Sequence, residues 1–262
     1  LPNNEGCVRP ITVLAPPGSI VNAEFPVAVS QRAQIGHLLP DLIFQALAPA
    51  IPRGVLAGSG SNPLWSNVMS GAFANGRRFL IYFGLQGGLG ARAHGDGVSC
   101  LGFPANVANT PVEVLEAEAP ILCEEKRLAA DSAGPGRFRG GLGQDFTIRV
   151  RDGAAAPKGR VTATLRGGRF EFPVPGVAGG GSPRKGEILL NGEPLNASQQ
   201  VVLDPGDALT FRTPGGGGFG LPAERDPMQV REDVAGGYVS VEAARIHYDQ
   251  DAAPRVGGSH DG

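Results

Sequence analysis

Hydrophobic residues recur at intervals of three and four positions between residues 30 and 50. The apolar positions of this stretch are Ile35, Leu38, Leu39, Leu42, Ile43 and Leu47. Because an α-helix turns once every 3.6 residues, this spacing aligns them along one face of a helix. Pro40 lies inside the stretch, so we expect either a kink or two helical pieces. Pro52 and Gly54 mark where the helical pattern ends.

Two segments carry the strongest short-range signal for a β-hairpin, an Asn-Gly pair between runs of strand-forming residues. Asn75-Gly76 separates LWSNVMSGAF from RRFLIYFG, which predicts a hairpin over residues 64–84. Asn191-Gly192 divides the segment GEILLNGEPL in the same way. Further strands are predicted in ILCEEKRLA, QDFTIRVR, GRVTATLR and, on either side of a turn at residues 204–207, in VVLDPGDALTFRT.

Capping residues predict three short helices. Thr110, Pro111 and Glu113 have the spacing of a capping box, which predicts a helix through about Ala119. Near the C-terminus, DPMQVREDVAGG and SVEAARIHYD are each typical of a short helix, and Ser240 is placed to cap the second.

These elements assign the chain to the α+β class. It is strand-rich with many Gly turns, has a helix near residues 30–50, and ends in two short helices. We find neither a fixed-period repeat nor a linker, so residues 1–250 are expected to form one unit. Residues 251–262 are polar and Gly-rich, which predicts a disordered tail.

The abundance of glycine is the one compositional feature that changes this picture. Gly accounts for 41 of the 262 residues and Pro for 23, while 41% of the residues are hydrophobic. A Gly share about twice the average can indicate a low-complexity chain. Here the Gly residues alternate with apolar strand-like runs, so we interpret them as tight turns between short strands.

Charge and cysteine content narrow the classes of partner and compartment. The net charge is −2 and the pI about 6.1, so no basic excess favours nucleic acid. No apolar run approaches the roughly 18 residues of a membrane span, and the N-terminus lacks the pattern of a signal peptide. Cys7, Cys100 and Cys123 are odd in number and widely spaced, which favours reduced thiols in a cytoplasmic protein.

Common motifs for cofactors and nucleophiles are missing. Gly215-Gly216-Gly217-Gly218 resembles a phosphate cradle, but no Lys-Ser or Lys-Thr follows it, and residues 84–97 lack the GxGxxG spacing. HExxH, CxxC and GxSxG do not occur. His94 and Asp96 lie two apart, and two ligands are too few for a metal ion. We expect this segment to bind neither a nucleotide nor a metal, and we assign no catalytic residue.

A loop at residues 131–141 is the richest in candidate chemistry. Its polar side chains are those of Asp131, Ser132, Arg137 and Arg139. Pairs of Arg suit the recognition of carboxylate or phosphate, and loops commonly carry function. In the alternative interpretation, the two arginines form ion pairs that only hold the loops together. The candidate partners for those pairs are Glu113, Glu116 and Asp131.

Several Gly-rich motifs occur together in a characteristic order. They are GGLGAR at residues 87–92, DG at 96–97, NTPVE at 109–113, DSAG at 131–134, GRFRGGLG at 136–143, TPGGGGFG at 213–220 and GGYVSVEAA at 236–244. In order and spacing, the chain from about Pro2 to Tyr248 resembles the hydantoinase B/oxoprolinase family, which includes subunits of acetone and acetophenone carboxylases. Ala133 departs from the family pattern, which has Gly at this turn.

The resemblance implies a cytoplasmic, ATP-dependent hydrolase of cyclic amides that acts as a complex. A hydantoinase A-type partner would bind ATP and Mg²⁺. Members of the family are usually longer, and their N-terminal half would hold a divalent metal, so residues 1–250 correspond to the C-terminal half of the subunit. We expect four polar residues of this half to line the substrate pocket: Asp96, Asp131, Arg137 and Arg139.

Three other functions remain open at this point. Within the same family, the chain could belong to a ketone carboxylase. It could be a non-catalytic half that only holds the complex together. A stand-alone β-rich binding module is compatible with the Gly-rich turns, although the ordered motifs argue against it.

Overall fold

Two antiparallel β-sheets and four α-helices form the regular structure of the residues that the computed structural model describes, namely 6, 9, 11–30, 32–195 and 200–249. The elements are α1 (Arg32–Leu47), β1 (Trp65–Ala72), β2 (Arg78–Leu85), α2 (Val112–Glu118), β3 (Ile121–Leu128), β4 (Gln144–Val150), β5 (Val161–Thr164), β6 (Glu187–Leu190), β7 (Glu193–Pro194), β8 (Gln200–Leu203), β9 (Ala208–Arg212), α3 (Pro227–Ala235) and α4 (Val241–Tyr248). The predicted α+β class is confirmed. The predicted tail at residues 251–262 lies outside the described residues.

The first sheet has the strand order β2-β1-β5-β8. Its β1–β2 hairpin runs in register from Trp65 opposite Leu85 to Ala72 opposite Arg78. Asn75 and Gly76 form the turn, with Gly76 at a φ of 84°. The predicted first hairpin is therefore confirmed.

The second sheet has the strand order β3-β4-β9-β6-β7. The predicted hairpin between β6 and β7 is confirmed, and both turn residues, Asn191 and Gly192, have the positive φ that a two-residue hairpin turn requires. The strands β8 and β9 flank the predicted turn at residues 204–207 but pair in different sheets. The chain therefore changes sheet at this turn.

A single hydrophobic core fills the space between the two sheets. Strand β2 alternates buried and exposed side chains along most of its length, as expected for a half-buried strand. The Phe83 ring of the first sheet contacts those of Phe146 and Phe211 in the second, with centroids 6.2 and 5.9 Å away. Leu115 and Ala119, at α2, extend the same core.

Helix α1 is continuous through Pro40, so the stretch forms one helix and not two pieces. Helix α2 is present, but the predicted capping box is wrong. Pro111 is the N-cap residue and no side chain bonds to the first turn, because Thr110 lies one residue too far from the helix. Of the helices in the described ranges, none combines the length and apolar character that a bilayer crossing requires.

The two C-terminal helices are confirmed. The Ser240 side chain accepts a hydrogen bond from Ala243 N at 3.0 Å, which caps α4 as predicted. Asp226 caps α3 by accepting from Met228 N.

Candidate functional site

Six Gly-rich segments continue the chain beyond one end of the sandwich and pack side by side. This glycine bundle comprises residues 55–61, 86–91, 97–101, 132–143, 174–181 and 213–220. Its segments lead into β1 and β4 and out of β2 and β9. The two sheets meet at this end, because Gln144 Nε2 donates to Gln86 O at 2.8 Å. The bundle is therefore fixed to both sheets.

The segment at residues 213–220 lies at the centre of the bundle. Four consecutive N–H groups donate to carbonyls in three other segments of the bundle, at N···O distances of 2.8–3.0 Å. The donor–acceptor pairs are Gly215 to Ser132, Gly216 to Gly141, Gly217 to Gly58, and Gly218 to Gly181. Because all four donors are used inside the protein, this stretch has no free N–H group with which to cradle a phosphate.

Close approach of backbones explains why these positions are glycine. A Cβ atom on Gly88 would overlap the carbonyl oxygen of Gly141, and one on Gly216 would overlap that of Leu89. Backbone atoms cannot move aside as a flexible side chain can. The four consecutive glycines at residues 215–218, called the tetraglycine below, therefore allow close packing of backbones as well as tight turns.

Four charged side chains form a network beside the bundle, alternating in sign; three are buried and the fourth, Asp96, is partly exposed. Arg225 donates to both oxygens of Asp96 at 2.8 Å and to Asp233 at 2.7 Å. Arg139 makes a two-pronged bond to Asp233, at 3.0 and 3.1 Å, and its backbone N–H donates to Asp96 at 2.8 Å. Two acids and two arginines balance, so no net charge is left buried.

The network keeps the Asp96 carboxylate ionised. Burial alone would raise the pKa of Asp96, but the hydrogen bonds and positive charges of Arg225 and Arg139 outweigh it, and the pKa lies below its ordinary value. The Arg139 and Arg225 guanidiniums also lie over the rings of Tyr238 and Tyr248, at 5.5 and 6.0 Å. Burial raises the pKa of Tyr248 to about 12.

Asp131 joins the same region through the backbone. Its carboxylate accepts from Ser240 N at 2.7 Å, and its own N–H donates to Tyr238 O at 3.1 Å. Asp131 thus contacts the turn between the C-terminal helices, Arg139 contacts Asp233 in α3, and Asp96 contacts Arg225, two residues before α3. Asp131, Arg139 and His247 also line a small cleft beside α4.

Arg137, the fourth predicted residue, points elsewhere. Its guanidinium forms no ion pair with a described carboxylate and lies 5.6 Å from the Phe138 ring centroid. It lines an open cleft together with Arg53, Ala93, Phe219 and Glu224. The structure therefore brings Asp96 and Arg139 together, places Asp131 nearby, and separates Arg137 from them.

Sequence reasoning missed the partners that complete the network. Arg139 pairs with Asp233, 94 residues away, and with none of the three acids considered as partners. Arg225 and Asp233 lie 8 residues apart, the first just before α3 and the second within it, so they are close in sequence. No pattern in the sequence relates this pair to Asp96.

A second buried ion pair, also unforeseen, fixes α1 to the bundle. Asp41 accepts from Arg169 at 2.8 Å and from Ser59 N at 3.2 Å. Burial raises the pKa of Asp41 despite the Arg169 charge. On the same helix face, His37 Nδ1 accepts from Leu64 N at 3.4 Å, and burial lowers the pKa of His37.

Metal-binding and thiol chemistry have few candidates in the described ranges. No group of three or more His, Cys, Asp and Glu side chains is placed there to hold a metal ion. Cys100 and Cys123 are free, half-buried thiols, and burial raises the pKa of each to about 11. Such thiols are poor nucleophiles at neutral pH. Cys7 and His260 lie outside the described residues.

Comparison with known proteins gives concordant matches. The family model described as Hydantoinase B/oxoprolinase matches residues 1–222. An uncharacterized protein of Methanocaldococcus jannaschii is 35% identical over 254 residues, which cover 95% of this chain and 43% of that protein. The caprolactamase subunit beta of Pseudomonas jessenii is 30% identical over 264 residues, covering 94% of this chain and 44% of that protein. The chain thus spans less than half the length of these relatives.

Two solved structures share the fold. The crystal structure of ATP-dependent caprolactamase from Pseudomonas jessenii matches with a TM-score of 0.81 and 28% identity, over 100% of this chain and 46% of that one. The nucleotide-free structure of acetone carboxylase matches with a TM-score of 0.67 and 21% identity, over 81% of this chain and 34% of that one. The second likeness concerns the fold alone.

Proposed function

The chain belongs to the hydantoinase B/oxoprolinase family, and we propose that it forms the C-terminal half of a B-type subunit in an ATP-dependent enzyme that hydrolyses a cyclic amide. The observation that carries this proposal is the structural match to an ATP-dependent caprolactamase along the entire chain. Caprolactam is itself a cyclic amide. The relative named caprolactamase subunit beta is described as a subunit.

The proposed assembly divides the chemistry among its parts. A hydantoinase A-type partner holds ATP and Mg²⁺, and the N-terminal half of the B-type subunit holds a divalent metal. Because an amide is stabilised by resonance, phosphorylation of its oxygen by ATP makes the ring carbon electrophilic, and a polarised water adds to that carbon. The ring nitrogen then leaves as the amine, which opens the ring as an acyl phosphate, and a second water hydrolyses the acyl phosphate to carboxylate and phosphate. The fully bonded tetraglycine supports assigning the nucleotide to another part of the assembly. A cytoplasmic location would supply the ATP.

The four polar candidates take two roles in this proposal. Asp96, Asp131 and Arg139 are positioning residues, since their contacts fix the C-terminal helices, and Arg225 just before them, to the glycine bundle. Arg137 is the candidate for substrate contact, because its guanidinium is exposed and shares an open cleft with Arg53. Two guanidiniums suit an anionic group such as a carboxylate on the substrate ring.

The proposal is tested with the complete complex purified from its own host. Hydantoin, 5-oxoproline and caprolactam are each supplied with and without ATP, and ring-opened product and phosphate are measured. We expect at least one ring to open only when ATP is present. Carboxylation of a ketone with bicarbonate, in place of ring opening, would identify a carboxylase. A complex inactive towards both classes would leave a structural role for this chain.

The role of Arg137 is tested by comparing a carboxylated ring with a neutral one in the same complex. We expect Arg137→Ala to raise KM for 5-oxoproline at least about tenfold, since a hydrogen bond to a charged group contributes roughly 1.5–3 kcal/mol. Its KM for caprolactam should be unchanged. Arg160→Ala, at the opposite end of the sandwich, serves as the matched control. An unchanged KM for 5-oxoproline would exclude Arg137 from binding the substrate carboxylate.

A further inference from the structure

The segment from Ile11 to Ile51 leaves a large apolar surface uncovered. Of the 26 large hydrophobic residues that are exposed in the described part of the chain, 13 lie in this segment. Phe25 is 98% exposed and Leu14 88%. The remaining 13 are scattered from Leu80 to Ile246. Exposed apolar surface concentrated in one segment in this way is typical of an interaction surface.

The charge content of the segment supports the same conclusion. Only three of its 41 residues are charged, Glu24, Arg32 and Asp41, whereas 18% of the whole chain is charged. Asp41 is turned inward to Arg169, so two charges remain for the outer surface. A solvated protein surface typically has about 25–35% charged residues. The segment is therefore composed like an interface.

Helix α1 has the reverse of the usual polarity. Its inward face is polar: Gln34 donates to Leu64 O, His37 accepts from Leu64 N, and Asp41 pairs with Arg169. Its outward face carries exposed apolar side chains, which belong to Leu39, Leu42, Ile43 and Leu47. A helix at a water-facing surface buries its apolar stripe. Here the stripe can be buried only by something that lies outside α1.

A groove next to α1 continues this surface. Its mostly apolar walls include Ile20, Val27, Val29 and Ile35, and its volume is about 270 Å³. That space can accept several side chains of a covering segment. The groove, the exposed Phe25 that follows the groove-lining Glu24, and the outward stripe of α1 together form what we call the apolar face.

We propose that the apolar face is the docking surface for the remainder of the B-type subunit, in the same polypeptide. The inference rests on the proposed half-subunit assignment. Two relatives at 30% identity or more contain over half their length beyond the region that this chain matches. That remainder must contact this half somewhere, and the apolar face holds the largest concentration of uncovered hydrophobic residues in the described ranges.

The test uses the complete subunit with the photo-crosslinking amino acid benzoylphenylalanine at Leu42, and in a second variant at Phe25. Both positions lie on the apolar face, and two variants guard against a local folding defect at either. The control places the same probe at Leu80, which is 72% exposed on β2. Subunits grown in light and heavy nitrogen are mixed before irradiation, and the joined peptides are identified by mass spectrometry.

We expect peptides crosslinked from Leu42 and Phe25 to lie in the same polypeptide, outside the 262 residues, and to carry only one isotope. The Leu80 probe should not reach those peptides. Mixed-isotope peptides would show a second copy on this face, peptides of the ATP-binding subunit would show a different partner, and lipid adducts would show a membrane. Each of these results, or no crosslink from either position, overturns the proposal. Because the readout is contact and not turnover, an inactive complex with the expected crosslinks would refute only the proposed function.

Discussion

The β-sandwich and the glycine bundle are both buried, yet different atoms fill them. In the sandwich, Phe83, Phe146 and Phe211 occupy the space between the sheets with ring centroids 5.9–6.3 Å apart. In the bundle, backbone carbonyls occupy the space where a Cβ would stand, as at Gly88 and Gly216. Side chains can repack around a change, whereas a backbone lattice held by hydrogen bonds on every side cannot. The two regions should therefore differ in their tolerance of substitution.

The charged network belongs to the second kind of region. When one residue of the network is removed, the residues that it was bonded to have few alternative partners, as is also true of the backbone groups of the bundle. Arg139 and Asp233 side chains are each only 8% exposed, so water cannot replace a lost ion. The attachment of the C-terminal helices to the glycine bundle therefore depends on specific hydrogen bonds and ion pairs more than on buried volume.

The largest effect is expected from adding one methyl group to the centre of the bundle. Gly216→Ala places a Cβ against Leu89 O, and the backbone must shift to admit it. We expect a loss of roughly 4 kcal/mol or more in the free energy of unfolding, a size reached only when core packing or strain is severe. Urea denaturation of the complete subunit measures it.

Gly95→Ala is the control for that substitution. Gly95 lies in a loop, its φ is not positive, and an added Cβ meets only the flexible end of the Arg92 side chain, at 3.8 Å. Because no backbone has to move, we expect the free energy of unfolding of this variant to stay within about 0.5 kcal/mol of the parent value. Equal losses in both variants would contradict the backbone-packing account.

Removing one charge from the network should have the next largest effect. Asp233→Asn leaves two buried arginines with a single carboxylate, and we expect a loss of about 3 kcal/mol. Asp204→Asn provides the contrast, because Asp204 makes a similar two-pronged bond to Arg160 at an exposed site. We expect no measurable change from Asp204→Asn. If the two variants were equally stable, the network would not hold the helices.

The sandwich should accept a change of side-chain volume more readily. Phe211→Leu keeps an apolar group between the sheets and lets the neighbouring rings move, so we expect a loss of roughly 1–2 kcal/mol. Thermal unfolding followed by circular dichroism is suited to this small difference. A loss as large as that of Gly216→Ala would remove the distinction between the two regions.

Acid should produce the smallest and most specific effect. The folded pKa of Asp96 lies below its unfolded value of about 3.9. Its stabilising contribution is therefore complete above that value and is lost as the pH falls through the folded pKa. Asp41, whose pKa is raised, acts in the opposite direction. Comparing the parent with Asp96→Asn isolates the first effect, and we expect the parent to lose more stability between about pH 5 and pH 3.

The sequence predicted those elements whose signals are local. The three-and-four spacing identified α1, the Asn-Gly pairs identified both hairpins, and Ser240 identified α4. The capping box at Thr110 failed because Pro111, and not Thr110, is the residue next to the helix. A one-residue offset of this kind is decided by the chain path before the helix, which a local motif does not specify.

The candidate site was less accessible to prediction because its contacts join distant residues. The Gly motifs were recognised, but backbone bonds such as that from Gly217 to Gly58 leave no periodic side-chain signal. The polarity of α1 was likewise hidden: its apolar stripe identified the helix without telling which face is covered in this half. That information lies in Asp41 and its partner Arg169, 128 residues apart.

The most direct test of the proposed chemistry follows an oxygen atom. The complete complex is supplied with ATP and a cyclic amide whose carbonyl carries ¹⁸O, in unlabelled water, and the released phosphate is examined by mass spectrometry. If ATP phosphorylates the amide oxygen and the acyl phosphate formed on ring opening is then hydrolysed at its carbonyl carbon, each phosphate released should carry one ¹⁸O atom, and none should appear in a control without the amide. Ring-opened product accompanied by unlabelled phosphate would contradict this route.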